Sequence, residues 1–416
     1  VTLAVAVAKS LRNGCCVLQV PQTGSKRFSD ASTPDRPTYK YLWIFPEPEC
    51  EPNFESIFTL IPNFAHKNTH IHRTSIMTVT PTSVFVSGAT GFIAQHIIKL
   101  LIDKGYNVVG TVRSTEKGEN LKKLFGDAFT YEIVKDVEPE GAFDEALKKH
   151  PEVTVFLHTA SPFHFKATDV EKELLLPAVN GTKNALKAIK EHGPQIKKVV
   201  VTSSFAAITD LSKTNDPSHV DTEESWNPVT WEEAKKAPLE GYFGSKTFAE
   251  KAAWDFVKEE KPNFSINYVN PVYVFGPQTF TSEIKDELNT SSEIINGLLK
   301  LGKDGDVPSA AGYFVDVRDV AKAHLVAFEK DLKNERLLLS SEKFTGQDLL
   351  DVLNSSFESL KNKLPIGNPG TGKEQAKKTA LADNSKTREI LGFPLIDLKT
   401  SVVDTVAQIL KARGLN

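Results

Sequence analysis

The sequence predicts an α/β fold: a doubly wound parallel sheet with a smaller C-terminal lobe. Three features carry that expectation. Strand and helix patterns alternate from residue 82, a glycine-rich turn joins the first strand to the first helix, and the rhythm loosens after Pro271. Strands alternating with helices require right-handed crossovers, and those build parallel sheets covered on both faces.

The elements follow in order. TSVFVS (82–87) is a short apolar strand, and residues 92–105 show helical apolar spacing ended by Gly105. NVVGTVR (107–113) is a second strand, followed by a helix near 116–125; a third strand at 129–136 precedes a helix at 141–149. VTVFLHTAS (153–161) is the fourth strand and 169–192 a long helix. KKVVVTSS (197–204) is the fifth strand, its run of valines predicting burial on both faces. A helix over 242–260 and the strand FSINYVN (264–270) complete the repeat. Beyond Pro271, residues 272–312 read as loops around one helix near 291–301. A strand–helix pair follows at 313–330, with further helices near 346–358 and 397–412.

Composition narrows the function. The chain has 416 residues, with 50 basic and 53 acidic side chains and a net charge of -3, so no global attraction to nucleic acid is expected. No apolar run is long enough for a membrane span. All three cysteines, Cys15, Cys16 and Cys50, lie before the single methionine, Met77, which leaves the rest without a disulfide framework or thiol chemistry. A cytoplasmic protein is expected, a monomer or homodimer.

Residues 1–76 read differently. They hold seven prolines, six acidic and eight basic residues, with little periodicity. The charges Lys9 and Arg12 follow the apolar opening, whereas a secretory signal puts them in front. His66, His70 and His72 lack a nearby Cys or carboxylate to complete a metal site, and no metal is expected. Residues 1–76 are expected to be a disordered leader or upstream sequence read in frame before Met77, with a genuine targeting leader as the alternative. The domain reading is then 77–271 for a dinucleotide-binding Rossmann domain. Residues 272–416 form mainly a substrate-binding lobe, some segments of which return to the first domain.

The chemistry lies at strand ends. Gly88-Ala89-Thr90-Gly91-Phe92-Ile93-Ala94 is a G-x-x-G-x-x-A turn opening a helix, a place where backbone N–H groups and the positive helix end receive a pyrophosphate. Arg113 and Lys117 follow the second strand, where an acid would suit the ribose of NAD and a cation suits a 2′-phosphate. Tyr242 and Lys246, four apart, share one helix face, and a nearby ammonium stabilises phenolate. Ser203 and Ser204 end the fifth strand, where doubly wound sheets bind ligands.

These segments resemble the extended short-chain dehydrogenase/reductase family over essentially all of 79–416. Within it they are most similar to yeast NADPH-dependent methylglyoxal and aldehyde reductases, relatives of plant dihydroflavonol and cinnamoyl-CoA reductases. The likeness rests on VFVSGATGFIAQHI (84–97), LHTASPF (157–163), VVVTSSFAA (199–207), ESWNPVTW (224–231), GYFGSKTFAEKAAW (241–254), NPVYVFGPQ (270–278) and FVDVRDVAKAHLVAF (314–328). It implies that Ser204, Tyr242 and Lys246 are catalytic and that Gly88 to Ile93 cradle the pyrophosphate. Arg113 and Lys117 would hold the 2′-phosphate of NADPH, with Asp136 and Val137 at the adenine, Val274 on the nicotinamide side and Ser291 as a further cofactor contact. Tyr242 and Lys246 would also touch the cofactor. Phe163 and Phe205 are expected to line the pocket of a small carbonyl substrate. Phe280 reads equally as core, and Asn180 as a residue that bonds backbone or water. The expected reaction is reduction of small aldehydes, α-oxoaldehydes and related ketones to alcohols. A nucleotide-sugar epimerase or dehydratase and a non-catalytic NADPH-binding redox sensor are the alternatives.

Overall fold

The computed structural model describes residues 9–11, 15–17, 82–161 and 167–415. In the first unit, β1 (Lys9–Leu11) and β2 (Cys15–Val17) form a short antiparallel pair. The expectations for the remainder of 1–76, including His66, His70 and His72, lie outside the described residues.

The second unit opens with β3 (Ser83–Ser87), α1 (Phe92–Asp103), β4 (Asn107–Val112), α2 (Thr115–Phe125), β5 (Phe129–Ile133), α3 (Asp144–Lys149) and β6 (Val153–His158). A π-helical stretch, Glu171–Leu175, leads into α4 (Leu176–His192), then come β7 (Lys198–Thr202), β8 (Val220–Asp221), α5 (Trp231–Ala234), α6 (Pro238–Glu260) and β9 (Ser265–Pro271). The C-terminal part adds β10 (Tyr273–Phe275), α7 (Thr290–Leu298), β11 (Ala311–Asp316), α8 (Val317–Glu329), β12 (Arg336–Leu339), β13 (Glu342–Thr345) and α9 (Gly346–Ser356). It closes with α10 (Gly372–Ala376), β14 (Leu381–Ala382), α11 (Ser385–Leu391) and α12 (Leu398–Ala412).

Seven strands form one parallel sheet in the order β12-β9-β7-β6-β3-β4-β5. Counted along the chain that is the dinucleotide-binding order 3-2-1-4-5-6, extended by one strand. The doubly wound reading of the sequence is the architecture found. Alternation in β3 divides its faces: Val84 and Val86 belong to a core with α1 and α8, and Phe85 to a core with α3, α4 and α6. In α1 the buried residues Ala94, Ile97, Ile98 and Leu101 form a single stripe, and the chain leaves the helix through Gly105 at φ +85°.

Two features differ from the periodicity. Helix α6 starts at Pro238, four residues before Tyr242, because proline fits the first helical turn, where an N–H is unused anyway. The stretch after Pro271 also holds strands that the sequence did not signal. Short β10 and β13 flank β11 in a three-stranded sheet, and β12 crosses back to the edge of the main sheet beside β9. A third core, with Phe275, Phe314, Phe344 and α7, α9 and α12, fills this lobe. Phe280 packs edge-on against Phe125 at the margin of the first core. Among the described residues no helix is long and apolar enough to cross a membrane.

Candidate active site

The carboxyl ends of the main strands converge where the sheet order reverses, between β3 and β6. Gly88 turns the chain out of β3 at φ +69°, and a Cβ there would come to 3.0 Å from the Ala160 Cα. The Gly88 N–H donates to Thr111 Oγ1 at 2.9 Å, and the Gly91 N–H to the Gly88 carbonyl at 3.0 Å. Gly91 caps α1 without a side-chain bond, and no acid sits in the first turn. Ala89 is buried, Thr90 and Gly91 are exposed, and Phe92 and Ile93 are partly covered. The result is a narrow cradle with open helix N–H groups, the donor set that a pyrophosphate needs.

Beneath the cradle, Ser87 Oγ accepts the N–H groups of Thr159 and Ala160 at 3.0 Å each. Its own hydroxyl is thereby directed to His158 Nδ1 at 3.0 Å, and His158 is held neutral because burial, then the charge of Lys246, lowers its pKa to about 4. We expect Gly88→Ala to cost about 1–2 kcal/mol, since φ +69° is unfavourable to any L side chain and the new methyl meets Ala160. Thermal unfolding should shift down by a few degrees and dinucleotide affinity, read by fluorescence titration, should drop.

At the end of β4, Ser114 caps α2 by accepting the Lys117 N–H. Arg113 and Lys117 are exposed, and neither forms an ion pair with any of the described residues. After β5, Asp136 is exposed and its carboxylate accepts the Glu138 N–H at 3.0 Å, while Val137 is bonded through its carbonyl to Asn184 Nδ2 on α4 at 3.2 Å. Asn180 donates to Glu138 at 3.4 Å.

Strand β7 delivers Ser204 to the mouth of the site, where its Oγ accepts the Ala206 N–H at 3.1 Å and caps a 3-10 turn, Phe205–Ala207. The same Oγ lies 3.1 Å from the Tyr242 hydroxyl. Lys246 stands one turn further along α6. Gly244, between them, lets the helix close on Ala234, where a Cβ would clash with that methyl. Burial raises the Tyr242 phenol above its usual pKa; the Ser204 hydrogen bond draws it back and the Tyr273 phenol adds to the rise. Lys246 does not figure among these causes; burial pulls its own ammonium down to about 8.

A cavity of about 450 Å³ opens in front of this pair, lined by Ser204, Phe205, Tyr242, Tyr273, Ser291 and Tyr313 among others. Phe205 and Ser291 both line the cavity that Ser204 and Tyr242 also line. Val274 does not face the cavity with its side chain: it is 7% exposed and belongs to the first core, while its neighbour Tyr273 turns outward. Phe163 lies outside the described residues. Sequence reasoning missed Tyr273, Tyr313 and the strap Thr379–Leu381. Alternation along β10 would have given Tyr273. The strap has no local signal, because it is held by Tyr313, whose hydroxyl accepts the Ala382 N–H at 2.9 Å. Among the described residues no group of three or more His, Cys, Asp and Glu is arranged to hold a metal.

The sheet order, the glycine cradle at the reversal and the adjoining cavity define a dinucleotide-binding protein of the doubly wound class. The chain belongs to the NAD dependent epimerase/dehydratase family, whose sequence model matches residues 84–339. Grp2 of Candida albicans is 61% identical over 336 residues, covering 79% of this chain and 98% of its own. The Saccharomyces cerevisiae protein named NADPH-dependent methylglyoxal reductase Gre2 is 49% identical over 339 residues, covering 80% and 99%. The crystal structure of Candida albicans Gre2 in complex with NADPH superposes with a TM-score of 0.78 at 56% identity, covering 80% of this chain and 99% of that one.

Proposed function

We propose that this chain is an NADPH-dependent carbonyl reductase that converts small aldehydes, α-oxoaldehydes such as methylglyoxal, and related ketones to alcohols. The observation that carries the reading is the Ser204–Tyr242 hydroxyl pair, 3.1 Å apart on the wall of a cavity beside the glycine cradle. The NADPH-dependent methylglyoxal reductase among its relatives supports the substrate class.

Gly88 to Ile93 would hold the pyrophosphate, Arg113 and Lys117 the 2′-phosphate, Asp136 and Val137 the adenine side, Val274 the nicotinamide side through its backbone, its side chain being in the core, and Ser291 a further cofactor contact. When bound, NADPH supplies a hydride for the carbonyl carbon. Tyr242 donates the proton to the carbonyl oxygen, and the burial that raises its pKa keeps it protonated until that moment. Ser204 hydrogen-bonds the same oxygen and stabilises the charge that grows there. Lys246, still mostly charged at pH 7, holds the nicotinamide ribose and stabilises the phenolate left behind. Its charge would be lost in the free enzyme above about pH 8, so cofactor capture should weaken there.

The absence of cysteine after Met77 supports a cytoplasmic setting. A monomer or homodimer is the assembly proposed, with no nucleic-acid or membrane partner. Mixing the protein with NADPH and methylglyoxal and following cofactor absorbance tests the reading. A reductase consumes NADPH in step with the aldehyde. An epimerase would show no net oxidation, and a redox sensor binding alone.

A further inference from the structure

Helix α6 carries three functional groups on successive turns: Tyr242, Lys246 and then Glu250. Glu250 is 1% exposed and sits far from solvent, yet all its contacts are specific. One carboxylate oxygen accepts Arg336 Nε at 2.7 Å and Trp254 Nε1 at 3.4 Å. The other accepts the Ser203 hydroxyl and Asn270 Nδ2, the latter at 2.8 Å. The Asn270 amide also donates to the Ser204 carbonyl at 3.2 Å.

Arg336, 5% exposed on edge strand β12, completes the set. Its Nη1 donates to the carbonyls of Glu223 and Ser225 and its Nη2 to that of Ala207, and its guanidinium lies 4.1 Å from the centre of the Trp226 ring. Ala207 ends the turn that Ser204 caps. One buried ion pair therefore joins the helix bearing Tyr242 to the ends of β7 and β9 and to the Ser204 turn.

Burial of this pair is not by itself a gain in stability. A buried Arg–Glu pair is often no more stabilising than apolar side chains of the same volume, because both charges must leave water. Among the described residues the Asn270 Oδ1 is buried with no hydrogen-bond partner, while both bonds from the amide nitrogen are made. We infer that Glu250 and Arg336 are positioning residues that fix the Ser204 hydroxyl against the Tyr242 hydroxyl, acting through Ser203, Asn270 and the Ala207 turn; the inference rests on the reductase reading above.

The test uses the full chain with NADPH and methylglyoxal, and variants Glu250→Gln, Arg336→Met and Arg336→Lys. Wild-type turnover is measured first: its absence removes the reductase reading and this inference with it. With turnover present, Glu250→Gln and Arg336→Met should lower kcat about 10- to 100-fold per NADPH-binding site, the loss that a displacement of order 1 Å produces, with the NADPH dissociation constant nearly unchanged. Arg336→Lys, which keeps the charge, should recover part of the rate.

A second readout separates positioning from packing. Tyr242 must be protonated to act in reduction, so the rate falls as pH rises through its pKa. Among the described residues the groups that shift that phenol are Ser204 and Tyr273, with Lys246 a turn away, and of the first two it is the Ser204 bond that draws the pKa down. Slackening that bond should therefore move the alkaline limb of the kcat profile to higher pH. Variants with wild-type kcat per binding site, or with reduced kcat and an unmoved limb, would overturn the positioning role and leave the reductase reading standing. If Arg336→Met does not fold, Glu250→Gln and Arg336→Lys decide by the same two readouts.

Discussion

Tyr242→Phe should lower kcat for carbonyl reduction by about 10²–10⁴-fold, the usual worth of a positioned proton donor, while NADPH binding stays nearly intact. Phenylalanine keeps the ring, its edge-on contact with Phe243 and its place on α6, so the cavity wall should hold its shape. What goes is the hydroxyl, and with it the 3.1 Å bond to Ser204. Ser204 Oγ still accepts the Ala206 N–H, which keeps the turn capped, so the loss should be chemical and not structural. Lys246→Ala offers the contrast, since a group proposed both to touch the ribose and to stabilise phenolate should cost turnover and NADPH affinity together. Single-turnover reduction of methylglyoxal and fluorescence titration of NADPH separate the two patterns. Wild-type turnover in Tyr242→Phe would exclude Tyr242 as the proton donor.

Most of what positions this chemistry was legible from local pattern. The alternation from residue 82 follows from strands buried on both faces and helices with one apolar stripe, and both periods survive in any window of ten residues. The glycine turn was legible for the same reason: positive φ at Gly88 is a local demand. The pairing of Ser204 with Tyr242 became readable only through resemblance, since 38 residues separate them and chance pairs of this kind are common. Strand β12 escaped because RLLL is four residues long, uniformly buried and without alternation, so no period marks it. Glu250 escaped for a related reason. An acid on a helix reads as solvated surface, and its burial depends on Arg336, which arrives from 86 residues away.

On the proposed reading, the cofactor preference should follow from charge at the end of β4. A 2′-phosphate carries nearly two negative charges at neutral pH, and a hydrogen bond to a charged group is worth about 1.5–3 kcal/mol, or roughly tenfold and more in binding. Arg113 and Lys117 are both exposed and form no ion pair with the described residues, so neither must leave an existing partner to meet that phosphate. Exposure also sets the scale: solvent screens such pairs, which places each contact toward the lower end of that range. Wild-type protein should therefore favour NADPH over NADH by about one to two orders of magnitude if both cations engage. Arg113→Ala should weaken NADPH about tenfold and leave NADH almost unchanged, because NADH offers only a ribose hydroxyl there. Lys117→Ala should act in the same direction but less, as a single ammonium cannot match the fork of a guanidinium against phosphate oxygens. Raising salt should reduce the gap between the two cofactors, since the phosphate contact is electrostatic and open to water. Dissociation constants for both cofactors at low and high salt check all of this. Equal weakening of NADPH and NADH in Arg113→Ala would make Arg113 a structural support for the β4–α2 turn, and the phosphate assignment would fall.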